Sequence, residues 1–559
     1  MSEAARLREQ AVEAARLGHP AKAAKLHGRA ADLAGNDASI LNSAAFFFSR
    51  NGEVERAIRL LQRAVGADRD AAEPLFNLAL ILTKEGRAAE ALALLGEREQ
   101  QYGRSARYWS IRAGAERALR LKSEALSSFE TAVRIEPADT RAAHGHARMA
   151  LETGCPASEL YRSVVAAQPG DLAAWLGYAQ ALDAEQRGAE ARSLLEAAVG
   201  QQPLWVEGHE LLARLRWAGG EREEFASHYA VAAKAGGSAE LYASWSRVLA
   251  GADLYAHAAD VAAAARRVLG DSDAFALIEA NHRGEAGDDD VAEAIFATLS
   301  LTTPERFVHE ARHRLRRGDA AGAEAYCAQV IATNVDHVTA WALRAIAWRL
   351  LGDARSDWLH GQQGLVTVLP LGLDETEMTR VIDYLDRLHD ESATPIGQSI
   401  RSGTQTRGGL FDRHEPEARR IEQAFRDVVD TYQAGLPPRD EGHPLLRHRD
   451  EAWRIAGSWS IRMIDAGHHV QHIHPHGLVS SAAYFALPEC VADAADKTGW
   501  LELGRPPSDL RIDLPPIADI QPRLGQCVLF QSTLYHGTRA FAAGKRMSVA
   551  TDINLASPA

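Results

Sequence analysis

Cysteine is scarce. Four residues in 559, Cys155, Cys327, Cys490 and Cys527, are scattered along the chain, and no two stand in a Cys-x-x-Cys spacing. That excludes a disulfide framework and a cysteine zinc site as organising features and fits a reducing compartment. Long apolar runs are also missing, since no stretch approaches the roughly 20 residues that a membrane-spanning helix needs. Nor is there an excess of positive charge. Lys and Arg total 62 against 75 Asp and Glu, a formal net charge of −13, so the overall electrostatic footprint of a nucleic-acid binder is lacking. The opening Met-Ser-Glu-Ala-Ala-Arg-Leu-Arg is charged and helix-prone. The expectation is a soluble cytoplasmic protein with neither a nucleic-acid nor a membrane partner.

Hydrophobic residues make up 46% and charged residues 25%, close to globular averages, so the chain is neither wholly disordered nor fibrous. Its length exceeds one ordinary core, because domains usually hold roughly 100 to 200 residues. Two or more folded units are expected.

The first part of the chain repeats itself. Small residues recur at Ala57, Ala91, Ala125, Ala157 and Ala191, in steps of 34, 34, 32 and 34. The same slots return around them, as in Trp109, Ala113, Ala125, Phe129, Ala132, Pro137 and in Trp175, Ala179, Leu182, Ala191, Leu195, Ala198, Pro203. Each unit holds two apolar stretches of helical period joined by a short turn such as Arg50-Asn51-Gly52 or Lys84-Glu85-Gly86. This pattern resembles the tetratricopeptide repeat, most strongly from Ala38 to Pro203. From Leu204 to Leu351 the units decay, although Phe307, Ala311, Ala323 and Cys327 keep the slots and Trp341, Ala345 and Trp348 resume the first-helix pattern. A solenoid of this kind suits a peptide or protein partner in its concave groove. A spacer, or a surface that assembles a homo-oligomer, is the plainer alternative.

After Trp358 the helical rhythm fades and proline punctuates the chain at 370, 395, 437, 438, 444, 506, 507, 515 and 516. Two helices are expected there, Glu375 to Leu388 and Pro416 to Gln433, each apolar on one face. The rest reads as short strands, Trp459 to Ile464, Ser480 to Leu487, Trp500 to Leu503, Cys527 to Phe530 and Met547 to Ile553. Such strands separated by turns indicate an antiparallel sandwich or barrel.

The chemistry concentrates in Gly467-His468-His469-Val470-Gln471-His472-Ile473-His474-Pro475-His476. Alternation along an extended chain puts His472 and His474 on one face, where both imidazoles reach one ion. A distant element ending in Leu534-Tyr535-His536-Gly537 delivers another histidine. Ten residues later, Arg546 and Ser548 share a strand face and can hold a carboxylate, the Arg through its fork and the Ser through one further hydrogen bond.

These stretches, with Gln398 to Thr406 and Ser480-Ser481-Ala482-Ala483-Tyr484, resemble the 2-oxoglutarate/Fe(II) oxygenase family found fused behind tetratricopeptide repeats in bacteria; the resemblance covers roughly residues 353 to 559. It implies a multidomain α + β protein: a tetratricopeptide-repeat α-solenoid over 1–352, a helical boundary segment over 353–395 and a double-stranded β-helix, or jelly-roll, domain over 396–559. It also implies Fe(II) as cofactor and 2-oxoglutarate as cosubstrate, with His472, His474 and His536 as iron ligands and catalytic centre. Arg546 and Ser548 would grip the distal carboxylate, and Tyr484 would donate a cosubstrate hydrogen bond. The implied activity is that of a dioxygenase hydroxylating a peptide or protein recruited by the repeats. A non-catalytic metal-binding scaffold, or a small-molecule oxygenase whose repeats serve assembly, are the competing readings.

One departure stands out. The wider superfamily carries His-x-Asp or His-x-Glu where this chain has His472-Ile473-His474. Either His474 ligates directly, leaving a more positive iron site, or it turns away and water or a neighbouring carboxylate takes the position. Elsewhere, His468, His469 and His476 read as exposed or supporting residues, and His389, His414, His443 and His448 as surface or capping residues. Arg401, Thr404, Gln405 and Thr406 read either as the mouth of the site or as an exposed loop. A fragment beginning near Asp353 would keep every proposed iron and cosubstrate residue and is expected still to turn over 2-oxoglutarate slowly without substrate, while losing most coupled hydroxylation of its target.

Overall fold

The computed structural model describes residues 2–392, 396–492 and 495–556. The chain divides into two compact units, one running to Ala181 and the other spanning Leu182–Ala556.

The first unit is built from antiparallel helix pairs, among them Ala38–Arg50 with Val54–Ala67, Ala72–Lys84 with Ala88–Gly96, and Ala106–Ala118 with Lys122–Ile135. The periodic Ala57, Ala91, Ala125 and Ala157 are all buried, which is why the period is legible: a larger residue there would push the paired helices apart. The turn after each first helix passes through the left-handed region, at Gly52 (φ 83°) and Gly86 (φ 80°). No helix among the described residues is long and apolar enough to cross a membrane.

The second unit continues with helix pairs through Val338–Leu351 and a short helix Arg355–His360, then becomes a sheet domain. Its strands are β1 (Val366–Pro370), β2 (Ile400–Gln405), β3 (Trp453–His469), β4 (Val479–Ala486), β5 (Leu501–Leu503), β6 (Ala518–Ile520), β7 (Gln526–Gln531), β8 (His536–Thr538) and β9 (Lys545–Leu555). Among the described residues they form an antiparallel six-stranded sheet, β1-β7-β4-β9-β3-β2, and a three-stranded sheet, β6-β5-β8. This is the helical-then-antiparallel architecture expected, with a jelly-roll-type second part.

Alternation sorts the large sheet into two faces. Cys527, Leu529, Met547, Val549 and Ile553 pack on helices Glu375–Asp390 and Pro416–Ala434, while Tyr484, Val528 and Phe530 pack on Leu501 and Leu503 of the small sheet. The stretch 353–395, read as a helical boundary, supplies β1 as well as a helix. Pro370 is tolerated because β1 lies at the sheet edge, where a missing N–H breaks no ladder. Residues 393–395 at the end of that stretch lie outside the described residues.

Candidate metal centre

Strand β9 is the spine of the site. Its inward residues Met547, Val549 and Ile553 enter the core, so Arg546, Ser548, Ala550 and Asp552 share the other face and line a cavity of about 500 Å³. His472 and His536 lie in the same cavity on two segments joined by an isolated antiparallel bridge, with His472 N–H donating to the His536 carbonyl (3.0 Å) and His536 N–H to the His472 carbonyl (2.9 Å). His474 follows two residues on and faces the same space.

The residues between and beside these histidines point the opposite way. Ile473 and Tyr535 join a core made by repeat helices Pro304–Arg316, Ala320–Thr333 and Val338–Leu351. Arg312 donates to the Tyr535 hydroxyl (3.2 Å) and pairs with Asp509, which also accepts from Arg316 (2.8 Å). The segments carrying the imidazoles are therefore held from behind by the last repeats.

The ligand atoms of His472, His474 and His536 all lie within 4.8 Å of one another, a group that also stands as the metal-binding candidate among the described residues. Each ring is oriented through its Nδ1. That of His472 donates to the Val470 carbonyl (2.8 Å), that of His536 to the Leu534 carbonyl (3.2 Å), and that of His474 contacts Asp552 Oδ1. Nε2 is thereby the ring nitrogen left for a ligand in each, that of His472 being shared with the Ser399 hydroxyl. Burial, reinforced by the neighbouring His474, pushes His472 down to about 3, and burial with its histidine neighbours holds His536 well below the ordinary range. Neutral imidazole is the form that binds a metal. Ser399 Oγ contacts His472 Nε2 (3.2 Å) and His469 Nδ1 (2.9 Å).

The chemistry of this donor set fits a divalent metal such as Fe(II): three nitrogens on one side of a cavity that remains open on the other. The neighbouring cationic pocket fits an anion. Arg546 is 2% exposed, its guanidinium carbon sits 5.0 Å from the Tyr484 ring centre, and among the described residues no carboxylate pairs with it. Among the described residues its Nε and the Tyr484 hydroxyl, both buried, meet no hydrogen-bond partner of ordinary geometry, and burial pushes the guanidinium below its ordinary value. A buried cation without a counter-charge is costly, and a carboxylate from a bound acid would satisfy it. Tyr484 flanks this guanidinium from the inter-sheet core.

Other expectations change. Thr404 and Thr406 stitch the fold together: the Thr404 hydroxyl bonds His389 Nδ1 (2.9 Å) and Thr406 Oγ1 accepts from Ser460 N–H (2.9 Å). Arg401 and Gln405 do line the cavity. His389 and His448 are buried, contrary to a surface reading; His448 bridges Asp336 (3.0 Å) and Glu451 (2.8 Å). His443 caps, its Nδ1 accepting from Leu445 and Leu446 N–H (3.1 Å each).

Sequence reasoning missed Asp552, although counting by twos from Arg546 leads to it. It also missed the repeat-derived wall, Gly251, Asp253 and Tyr255. There Gly397 N–H donates to the Gly251 carbonyl (3.0 Å), a Cβ on Gly251 would lie 3.1 Å from Gly397 Cα, and Asp253 pairs with Arg401 (2.8 Å). Nothing in the local sequence announces a contact between segments so far apart.

Comparison with known proteins agrees with this geometry. Residues 457–552 match the family model described as "Putative 2OG-Fe(II) oxygenase", and residues 48–114 and 157–215 match the tetratricopeptide repeat. No curated protein matches the chain. Similar solved structures include a tetratricopeptide repeat protein from Parabacteroides merdae (18% identity, 43% of this chain, 95% of that one, TM-score 0.34), a thermophilic one from Thermus thermophilus (21%, 32%, 98%, 0.27) and MamA from Desulfovibrio magneticus (17%, 31%, 98%, 0.28). The chain thus carries tetratricopeptide repeats and, behind them, a domain similar to 2-oxoglutarate/Fe(II) oxygenases.

Proposed function

We propose that this chain is an Fe(II)- and 2-oxoglutarate-dependent oxygenase that hydroxylates a residue of a peptide or protein presented at the cavity mouth. The observation that carries the reading is the meeting, in one cavity, of three imidazoles oriented through Nδ1 with a buried arginine that has no counter-charge among the described residues.

In this reading His472, His474 and His536 hold iron through Nε2. Arg546 takes the distal carboxylate of the cosubstrate, with Ser548 beside it on the same strand face. When bound, the iron and 2-oxoglutarate supply the oxidising chemistry: one oxygen atom of O₂ goes to the substrate C–H and the other to succinate, with release of CO₂. The protein's own work is orientation and exclusion of water. Phe530, Leu501 and Ile461 furnish apolar wall, and Trp459 lies over His474, ring centres 5.4 Å apart.

Gly251, Asp253 and Tyr255 put the repeat array at the mouth itself, which favours a substrate that contacts repeats and sheet together. A non-catalytic scaffold accounts poorly for Arg546, since a buried charge awaiting an anion adds nothing to a structural role. The test is Fe(II)-dependent release of succinate from 2-oxoglutarate by the full chain, stimulated by peptides that become hydroxylated. No Fe(II)-dependent succinate under any substrate supply would contradict the proposal.

A further inference from the structure

The His-x-His arrangement leaves a question of charge. With His472, His536 and a carboxylate, a divalent ion and its protein ligands sum to +1; with three neutral imidazoles they sum to +2. The structure places a carboxylate beside the substituted position. Asp552 Oδ1 contacts His474 Nδ1, which leaves Nε2 as the ring atom available to a ligand. Asp552 does not join that cluster of converging ligand atoms, and His474 is its ion-pair partner among the described residues. It is fixed by strand register, opposite Gly457 of β3 and Ser480 of β4, on the cavity face that begins with Arg546.

We infer that Asp552 is a positioning residue of the metal site, whose carboxylate orients His474 and returns, one hydrogen bond away from the metal, the negative charge that a His-x-Asp pair supplies by direct ligation. The inference rests on reading the three histidines as metal ligands. Its physical basis is that a carboxylate on the remote nitrogen of a ligating imidazole fixes the ring and raises its basicity; losing such a partner typically weakens metal binding about 10- to 100-fold. On this account β9 serves both halves of the site, the cosubstrate carboxylate through Arg546 and the metal through Asp552. The short side chain of Ala550 between them keeps the cavity open.

The experiment is anaerobic titration of the full-length apoprotein with Co(II) alone, following affinity and the visible ligand-field spectrum at saturation. Asp552→Asn, which keeps the shape and removes the charge, is expected to weaken Co(II) binding about 10- to 100-fold and to shift the saturated spectrum. A merely structural defect would lower affinity or apoprotein melting temperature and leave that spectrum in place. Asp552→Glu should recover most of the affinity. The double variant His474→Asp/Asp552→Asn moves the carboxylate into the ligand position and should bind more tightly than Asp552→Asn, whereas His474→Asp alone sets two carboxylates against each other. Should Asp552→Asn fail to fold, Asp552→Glu and the double variant still report: tight binding in both supports the inference, and weak binding in both overturns it. Unchanged affinity and spectrum in Asp552→Asn also overturn it. So does full Co(II) binding in His474→Ala with loss in Asp552→Asn, which would make Asp552 itself the ligand. Failure of the native chain to bind Co(II) strikes instead at the metal reading on which the inference rests.

Discussion

The repeats before Ala181 and those between Leu182 and Leu351 are the same kind of object put to different uses. In the first set each helix pair buries its small residues against neighbouring helices, so one pattern serves every unit and the period of about 34 residues is plain. In the second set the pattern weakens, with shortened helices such as Ser227–Lys234 and Asp289–Phe296. The faces there also meet a different fold. Leu510, Ile473 and Tyr535 enter the core of helices Pro304–Arg316 to Val338–Leu351, Arg316 is wholly buried on Asp509, and Arg349 donates to the Pro515 carbonyl (2.5 Å). These docked repeats still bury Ala311, Ala323 and Cys327 in the slots used for stacking, and their remaining side chains form the floor of the sheet domain.

The largest effect expected from this comparison comes from truncation. A fragment beginning at Asp353 keeps His472, His474, His536 and Arg546 but loses the helices that back Ile473 and Tyr535. Residue content alone suggested that slow turnover would survive, but with Ile473 and Tyr535 unsupported the fragment is expected to lose metal binding and the near-ultraviolet circular dichroism of a packed core. A fragment beginning at Leu172, the start of helix Leu172–Ala184, is expected to keep both. Native-like metal affinity in the shorter fragment would break the comparison.

Next comes the buried charge cluster. Asp509→Ala leaves Arg312 and Arg316 buried without their shared carboxylate, and breaking such a buried arrangement typically costs about 3–5 kcal/mol. Chemical denaturation should show the transition of the Leu182–Ala556 unit moving to lower denaturant. In the first unit, Glu90→Gln removes only an exposed pair with Arg87, and that unit's transition should stay in place.

Acid should separate the two regions more gently. In the second unit burial pushes His228 and His360 down to about 3 and His309 and His389 to about 4; in the first, His27 falls to about 4 and His146 is also lowered. A histidine kept neutral by burial costs no stability above its unfolded value of about 6.5. As pH falls below that, the unfolded chain takes up the proton first, so stability declines until the folded value is reached. The window is roughly pH 6.5 down to 4 or 3. Melting followed across it should show the second unit losing more than the first; equal losses would remove this difference between them.

What the sequence made legible follows the same division. Strands β4, β7 and β9 and both sheet-covering helices were readable because alternation or helical period meets one buried face. His472 with His474, and Arg546 with Ser548, were readable as pairs because alternate residues of an extended chain share one face, whereas the joining of His536 to them was implied by the family resemblance. β2 was obscured by its polar side chains and by a bulge between Arg401 and Gly403, where Ser402 takes φ 56°. β3 runs further than its apolar core suggested because its polar residues pair across to β9 and β2. His389 looked like a surface residue because it lies on helix Glu375–Asp390 while its partners, Thr404 and Ser460, lie on strands β2 and β3. Asp253 and Tyr255 were beyond reach for the same reason: their part in the cavity exists only once the chain has folded back on itself.

The most direct test of the central claim is anaerobic titration of the Fe(II)-loaded full chain with 2-oxoglutarate, watched by the visible charge-transfer absorption that a chelating 2-oxo acid produces on ferrous iron. The account predicts a saturable band in the native protein and none in His536→Ala. In Arg546→Lys the same band should appear at roughly 10- to 100-fold higher 2-oxoglutarate, as expected when a charged hydrogen-bond fork worth about 1.5–3 kcal/mol is lost while the metal stays bound. A native chain that binds Fe(II) without this band, or an Arg546→Lys variant that saturates at the native concentration, would contradict it.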